Sequence, residues 1–434
     1  MRASAHALGA QAWNTFSAIC YLTGRGIHDG LGGKVPIGLI SSNWGGTPVE
    51  SWLPAAAIKA CGSDANEAFG PLYNSMIAPF AVGPMALTGF TWCTFVPCPC
   101  HVLLACALPE LLFTWLIPLL VADQGESNIG ISDASSNAKD YACTFPALIQ
   151  GWRSEFNDSE LWFGFVQVAG FSYAGSINCT DSDPPDTNAS CPDTHHSLAA
   201  GDLRQAQLAA LRLPNVGFST AIDTGDYTNI HPPDKQTPSR RLASQALKQI
   251  YKVNVSGGAD DSAEFPFFAG SKLSTTADDG AVITVTVAIR AGRAKTKVKL
   301  TTTAPLAATQ STRLGQGGSL PRNKCATAAT QRYHYPPRVA KTFPEYCGYP
   351  QIWGVFANGS TLALNASAAI GADGSSLVLS AAAPAGFNAT SSSYGRATWP
   401  MTVFFSSTGL PVIPWWASLD ATEPWQSPGF GAAS

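Results

Sequence analysis

The chain has 434 residues and a formal net charge of −3, and only 13% of its residues are charged. A chain of this length can bury one or two good cores, so two domains are expected. The charge balance offers no basic face, so neither nucleic acid nor an anionic membrane surface is an expected partner.

Seven N-x-S/T sequons (Asn157, Asn178, Asn188, Asn254, Asn358, Asn365 and Asn388) and 11 cysteines suit an oxidising, secretory-pathway setting. Outside the segment 93–106 the cysteines are widely spaced and form no zinc-type CxxC pair, so no metal site is expected. Cys179/Cys191 and Cys325/Cys347 each close a short polar loop and are the expected disulfides. The N-terminus has no continuous apolar stretch of signal-peptide type. Sequons without an entry signal point to a missing front end.

In chain order, apolar residues at helical spacing (Trp13, Phe16, Ile19, Cys20, Ile27) predict a helix over 11–32. VPIGLI (35–40) reads as a buried parallel strand, followed by the loop SSNWGGTPVESW (41–52). Helices are expected near 54–61 and 66–80, a second strand over 87–92, a helix over 137–156 and a third strand over 163–168. The Ser/Asp/Pro-rich stretch 171–196 is loop. A helix over 198–213 and a strand over 217–223 complete an alternating pattern that predicts a parallel α/β sheet. Beyond about 255 the period falls to two in AVITVTVAI, TKVKLTTT, STLALNAS and SSLVLSAA, which predicts an all-β, sandwich-like module.

One segment breaks this pattern. Val102–Val121 is long enough to span a bilayer, yet it carries Glu110, Pro109 and Pro118 and has no flanking Lys or Arg to orient it.

Three loops carry candidate chemistry. Gly45 and Gly46 follow a strand directly, where glycine lets backbone N–H groups approach a ligand. QGESN (124–128) places the amides of Gln124 and Asn128 on a tight turn, as an oxyanion hole requires. His231 follows the last strand of the sheet and is stiffened by Pro232 and Pro233, a setting for a general base. Asp226 or Asp223 is available to orient its imidazole, as is a backbone carbonyl.

Together, WGGTPVESW, QGESN, CTFPALIQGWR (143–153) and LRQAQLAALRLPNVGFSTAIDTGDYTNIHPPDK (203–235) resemble the sialate O-acetylesterases. These are carbohydrate esterases of the SGNH-hydrolase superfamily, and the resemblance covers roughly 10–92 and 124–250. It implies a three-layer α/β fold with a parallel sheet, incomplete here, ahead of the β module. It also implies a carboxylic ester hydrolase that removes acetyl groups from sialic acid or related sugars through a serine and an acyl-enzyme. His231 matches the base, Gly45 and Gly46 the block supplying a backbone N–H, and Gln124 and Asn128 the oxyanion loop. The implied substrate is an O-acetylated sugar or glycan, no metal or organic cofactor is required, and the implied location is secreted or lysosomal.

The chain departs from the family in three places. The nucleophile motif G-Q-S-N-M that should precede WGG is absent, so the reacting serine is expected to lie outside this chain. Ser127 is a poor substitute by motif, because Ile129 stands where G-x-S-x-G needs its last glycine. The position three residues before His231, an Asp in many SGNH enzymes, is Thr228. Finally, 93–123 stands where the family has a single aromatic, so it reads as foreign sequence that separates Trp92 from Gln124. The expected organisation is an esterase domain over 1–255, a β module over 256–420 and a disordered tail over 421–434. A catalytically inactive carbohydrate-binding remnant and a membrane-anchored protein are the alternatives.

Overall fold

The computed structural model describes residues 16–61, 70–83, 87–93, 117–123, 126–129, 134–171, 199–226, 230–253, 264–276, 282–292, 296–302, 350–396, 400, 402 and 404–428. Short apolar runs build a five-stranded sheet from β1 (Ile37–Ser41), β2 (Gly89–Cys93), β3 (Ile117–Asp123), β4 (Trp162–Gln167) and β5 (Val216–Thr220). Its spatial order is β1-β3-β2-β4-β5, and every neighbouring pair is parallel. Helices α1 (Ala18–Gly30), α2 (Ala55–Ala60), α3 (Ala78–Ala81), α4 (Ala134–Glu155), α5 (Ala199–Gln207) and α6 (Gln236–Gln249) alternate with the strands.

Helices cover both faces of the sheet, which is why β4 is a continuous buried run rather than an alternating one. On one face, α1 and α6 pack Ile19, Ile27, Leu242 and Leu247 against Trp162 and Val166. On the other, α2, α4 and α5 pack Ile58, Phe145, Trp152 and Leu203 against Phe90, Phe163, Phe165 and Phe218. The Trp162 indole needs room beside the strands. A Cβ on Gly164 or Gly217 would come within 2.1 or 2.2 Å of its ring, so only glycine fits at either position. The indole N–H then donates to Gln249 Oε1 on α6 at 2.9 Å, fixing helix to sheet.

The segment read as foreign sequence supplies β3. Ile37 to Ser41 of β1 pair with Ile117 to Val121, and Gly89 to Cys93 of β2 pair with Leu119 to Asp123. IPLLVAD therefore stands inside the sheet, pairing with β1 on one side and with β2, whose other neighbour is β4, on the other. Pro118 has no N–H to donate, which leaves the start of β3 with fewer ladder bonds than its end. The reading of 93–123 as an intrusion is thus corrected for its last seven residues. So is the membrane span over 102–121, because 117–121 are strand. Among the described residues no helix is long and apolar enough to cross a membrane. The remainder of the segment, 94–116, lies outside the described residues.

The β module forms antiparallel sheets. One has the order β12-β13-β7-β6, from β6 (Pro266–Thr276), β7 (Val282–Ala291), β12 (Ser367–Ile370) and β13 (Ser376–Ala382), with β8 (Thr296–Lys297) paired to β7. The other has the order β11-β10-β14-β16, from β10 (Gln351–Val355), β11 (Thr361–Asn365), β14 (Asn388–Tyr394) and β16 (Trp415–Ser418). A short pair joins β9 (Leu300–Thr302) to β15 (Phe404–Ser406). The period-two pattern of β7 buries Ile283, Val285, Val287 and Ile289, and these share a core with Leu377, Leu379, Ile352 and Trp415.

The module is bound to α5 by polar contacts that are themselves buried. Arg396 makes a two-pronged ion pair with Asp202, at 2.6 and 3.0 Å, and lies 3.4 Å over the Trp416 ring. Burial pushes the Asp202 carboxyl up, and the Arg396 guanidinium opposes that shift. Gln205 donates to the Pro424 carbonyl and accepts from the Trp416 N–H. The tail expected from 421 therefore does not begin there. Residues 421–428 are described, Ala421 is buried, and Trp425 packs on the core of the parallel sheet.

A disulfide joins Cys61, at the end of α2, to Cys143 in α4, with a Cα–Cα distance of 5.8 Å. Neither expected pair, Cys179/Cys191 or Cys325/Cys347, falls within the described residues.

Candidate active site

In an open parallel sheet, ligands bind beyond the carboxyl ends of the strands. The segments following β1, β3 and β5 carry every site residue predicted from the sequence.

After β1 the chain turns through exposed Gly45 and Gly46. Gly46 has φ +73° with open space on its Cβ side, so glycine is needed there for its conformation. The turn is anchored in the core by consecutive hydrogen bonds. Trp152 Nε1 donates to the Trp52 carbonyl (2.9 Å), Trp52 Nε1 to Thr47 Oγ1 (3.0 Å), and Thr47 Oγ1 to the Trp44 carbonyl (2.9 Å).

After β3, Gln124 lies outside the described residues, and Glu126–Asn128 form a single 3-10 turn. Asn128 is buried, accepts at Oδ1 from the Val49 N–H (2.9 Å) and donates from Nδ2 to Glu50 Oε2 (2.9 Å). Its amide therefore ties the post-β3 turn to the post-β1 loop. Sequence reasoning missed Glu50, and only the identification of Asn128 as a site amide hinted that a partner was needed. It missed Tyr141 as well, a fully buried residue of α4 beneath these loops. Burial, and then the Glu50 carboxylate, hold the Tyr141 phenol far above its usual range; Glu126 adds to the shift, while the Trp92 indole and the Gln207 amide oppose it. Tyr141 is thus a neutral group and cannot serve as a base.

After β5, Asp226 and His231 are both partly buried, and 227–229 between them lie outside the described residues. Asp223 is committed elsewhere. Both its oxygens accept from Arg241 of α6 at 2.7 Å, and Arg241 also donates to the Thr220 carbonyl at 3.1 Å. Asp234 caps the start of α6, accepting from the Thr237 N–H (3.0 Å) and the Thr237 hydroxyl (2.8 Å). The His231 segment is therefore braced at both ends. Burial lowers the His231 pKa, and the Lys235 ammonium lowers it further, which favours the neutral imidazole a proton acceptor must have.

The strand order sets how these segments can meet. β1 and β3 are neighbours, whereas β5 is three inter-strand steps from β3, or ~14 Å. The chain from Thr220 to His231 can cover that distance, since extended backbone advances roughly 3.3 Å per residue. A cavity of about 260 Å³ is lined by Leu211, Arg212, Phe267, Arg290 and Trp425 and does not include these loops. Among the described residues, no three His, Cys, Asp or Glu side chains converge as metal ligands would.

The fold is a three-layer α/β arrangement around a parallel sheet, joined to antiparallel β-sheets, with its candidate chemistry on the loops beyond the strand ends. A carbohydrate acetylesterase from Xanthomonas citri shares this fold, with a TM-score of 0.57 and 22% identity over 93% of this chain and 65% of that one. The sequence itself is similar to the sialate O-acetylesterases. It is 33% identical to that of Rattus norvegicus over 262 residues and 31% identical to that of Homo sapiens over 264. Those alignments take in 56% of this chain but only 44% and 41% of the relatives, so the chain spans less than half the length of the curated proteins it matches. No protein-family model matches the sequence.

Proposed function

We propose that this protein is a carbohydrate O-acetylesterase that hydrolyses acetyl esters of sialic acid or a related sugar. The observation that carries this reading is His231, a histidine on a braced post-strand segment whose surroundings favour the neutral, proton-accepting form. In the proposed reaction a serine hydroxyl attacks the acetyl carbonyl while His231 takes its proton. The acyl-enzyme then yields to water activated by the same imidazole. Backbone N–H groups at Gly45 and Gly46, with Gln124 and Asn128, are the proposed oxyanion donors. Asp226 is the proposed partner of the imidazole, since Asp223 is held by Arg241.

The nucleophile is the one role that the matched motifs leave unassigned in this chain. The resemblance places it outside this chain; Ser127, exposed on the turn just beyond β3 but without the G-x-S-x-G setting, is the residue whose variant tests for a substitute. A secretory-pathway location is supported by the disulfide and by four described sequon asparagines, Asn157, Asn358, Asn365 and Asn388, all of them exposed.

The test is acetate release from an O-acetylated sialic acid. His231→Ala should lower kcat/KM by ~10²–10⁴ without unfolding the protein, and Ser127→Ala should abolish turnover if Ser127 is the nucleophile. Undiminished turnover in His231→Ala would overturn the mechanism. Sugar binding without any hydrolysis by the unaltered protein would make it a binding protein instead.

A further inference from the structure

Leu211 and Arg212 end the 3-10 turn that leads into β5, so they precede that strand, whereas the residues proposed for ester cleavage follow strands. They form one wall of the cavity of about 260 Å³. A second wall is the face of β6 and β7 on which Phe267 and Arg290 stand directly opposite each other. The Phe267 ring reaches across to Phe218 of β5, with 5.2 Å between centroids. The third wall is the turn 422–425. Gln426 Oε1 accepts from the Thr422 and Glu423 N–H groups at 2.7 and 3.0 Å, and Gln205 donates to the Pro424 carbonyl. Each wall is thus braced. Pockets for drug-sized ligands run to roughly 300–1,000 Å³, so this one suits a single small ring.

Its charge runs against that of the chain, which is −3 overall. Arg212 and Arg290 both line it and are both exposed. Arg212 Nε donates to the Ala209 carbonyl at 3.2 Å, which holds the stem beside its own turn. Among the described residues no carboxylate is paired with either guanidinium, and Glu264, beside Gly292 at the rim, is paired with Lys248. Arg290 also stands opposite exposed Lys297 of β8. Like charges facing each other across paired strands destabilise a sheet, and a bound anion offsets that repulsion. Glu423 lines the same cavity, so a ligand here meets two guanidiniums and one carboxylate. That mixture disfavours a bare inorganic anion and suits a molecule with a carboxylate at one end and hydroxyls at the other.

We propose that this cavity binds the ring of a small acidic sugar. Its carboxylate is held by the planar forks of Arg212 and Arg290, which match carboxylate geometry as a lysine ammonium does not. Its hydroxyls meet Thr422 and Glu423, and its C–H groups lie along Leu211 and Phe267. The proposal goes beyond the acetylesterase reading and stands without it, because binding here needs neither His231 nor a nucleophile.

Titration calorimetry of the full chain with free N-acetylneuraminic acid, its methyl ester and inorganic phosphate tests this. The free acid should bind, with the methyl ester and phosphate about tenfold weaker or more. Arg212→Ala and Arg290→Ala should each weaken the free acid about tenfold, and Arg290→Lys should weaken it less. Equal affinity for acid and methyl ester, or phosphate bound as tightly as the acid, would overturn the acidic-sugar assignment. Binding that survives both alanine variants belongs to other residues and overturns the site, as does no binding by the unaltered protein. Arg290→Gln should keep or raise the melting temperature, since Lys297 loses a like-charged neighbour; a clear drop would make the arginine structural and overturn the proposal. Acetate release is read separately, so a failed esterase assay leaves this result standing.

Discussion

Replacing Asp223 tests whether this carboxylate is structural or part of the catalytic machinery. Its two bonds to Arg241 are both 2.7 Å, and the side chains are 9% and 2% exposed. Asp223→Ala removes the carboxylate that holds the buried guanidinium at two points, while its bond to the Thr220 carbonyl at 3.1 Å and its contact with the Phe265 ring at 5.8 Å stay in place. Breaking a buried pair from one side costs ~3–5 kcal/mol, a large part of the roughly 5–15 kcal/mol that holds a domain folded. Removing both charges is different in kind, since an apolar pair of similar volume is often neutral or stabilising. Asp223→Leu with Arg241→Met should therefore recover most of what Asp223→Ala loses. Urea unfolding of the two single variants and the double variant gives the coupling directly. The reasoning is refuted if Asp223→Ala costs less than ~1 kcal/mol. It is refuted equally if stability is intact and only kcat falls, because Asp223 would then be serving His231 rather than Arg241.

Two further outcomes follow from named contacts. Lys235→Met removes one of the two influences that lower the His231 pKa, so the acid limb of kcat/KM should move to higher pH; a limb that stays or moves down would contradict the assignment. The same lowered pKa makes His231 contribute stability that is fully present above the unfolded histidine value of ~6.5 and lost as pH falls through the folded one, so urea midpoints should drop on acidification. Cys61→Ser with Cys143→Ser opens a crosslink between residues 82 apart. This should cost about 2–5 kcal/mol, read as a lowered melting temperature, and a change below that range would mean the unfolded chain is not restrained by this bond.

What could be read from the sequence was local. VPIGLI, FGFVQV and the amphipathic 137–156 stretch became β1, β4 and α4 because each carries its own period and its own end signals. Loop residues after strands were legible for the same reason, since Gly46 and His231 sit where strand-end turns place them. Partners distant along the chain were not legible. Nothing in DTGDYTN shows that Asp223 is claimed by an arginine on the next helix, which leaves Asp226 as the proposed orienting acid. Nor does the spacing of 11 cysteines single out Cys61 and Cys143. NATSSSY carries no apolar period, yet it forms β14 with Ser391, Ser392 and Ser393 buried, and Trp353 and Trp415 on neighbouring strands donate to Ser393 and Ser392.

Ile117–Asp123, the last seven residues of the segment read as foreign, are where local reading failed most, and the reason is physical. A long apolar run has no period of its own that separates helix from strand; only its neighbours decide. From the sequence, an insertion between Trp92 and Gln124 looks as though it must pull a strand away from the loop it serves. Parallel pairing removes that conflict. Trp92 is in register with Ala122 and Cys93 with Asp123, so β2 and β3 reach the carboxyl edge of the sheet side by side. The chain leaves that edge after Cys93 and returns to it at Asp123, one strand nearer β1. The turn that follows, Glu126–Asn128, is thereby delivered next to the loop after β1, where Asn128 reaches Val49 and Glu50. With β3 present, the amide of Asn128 ties the turn after β3 to the loop after β1.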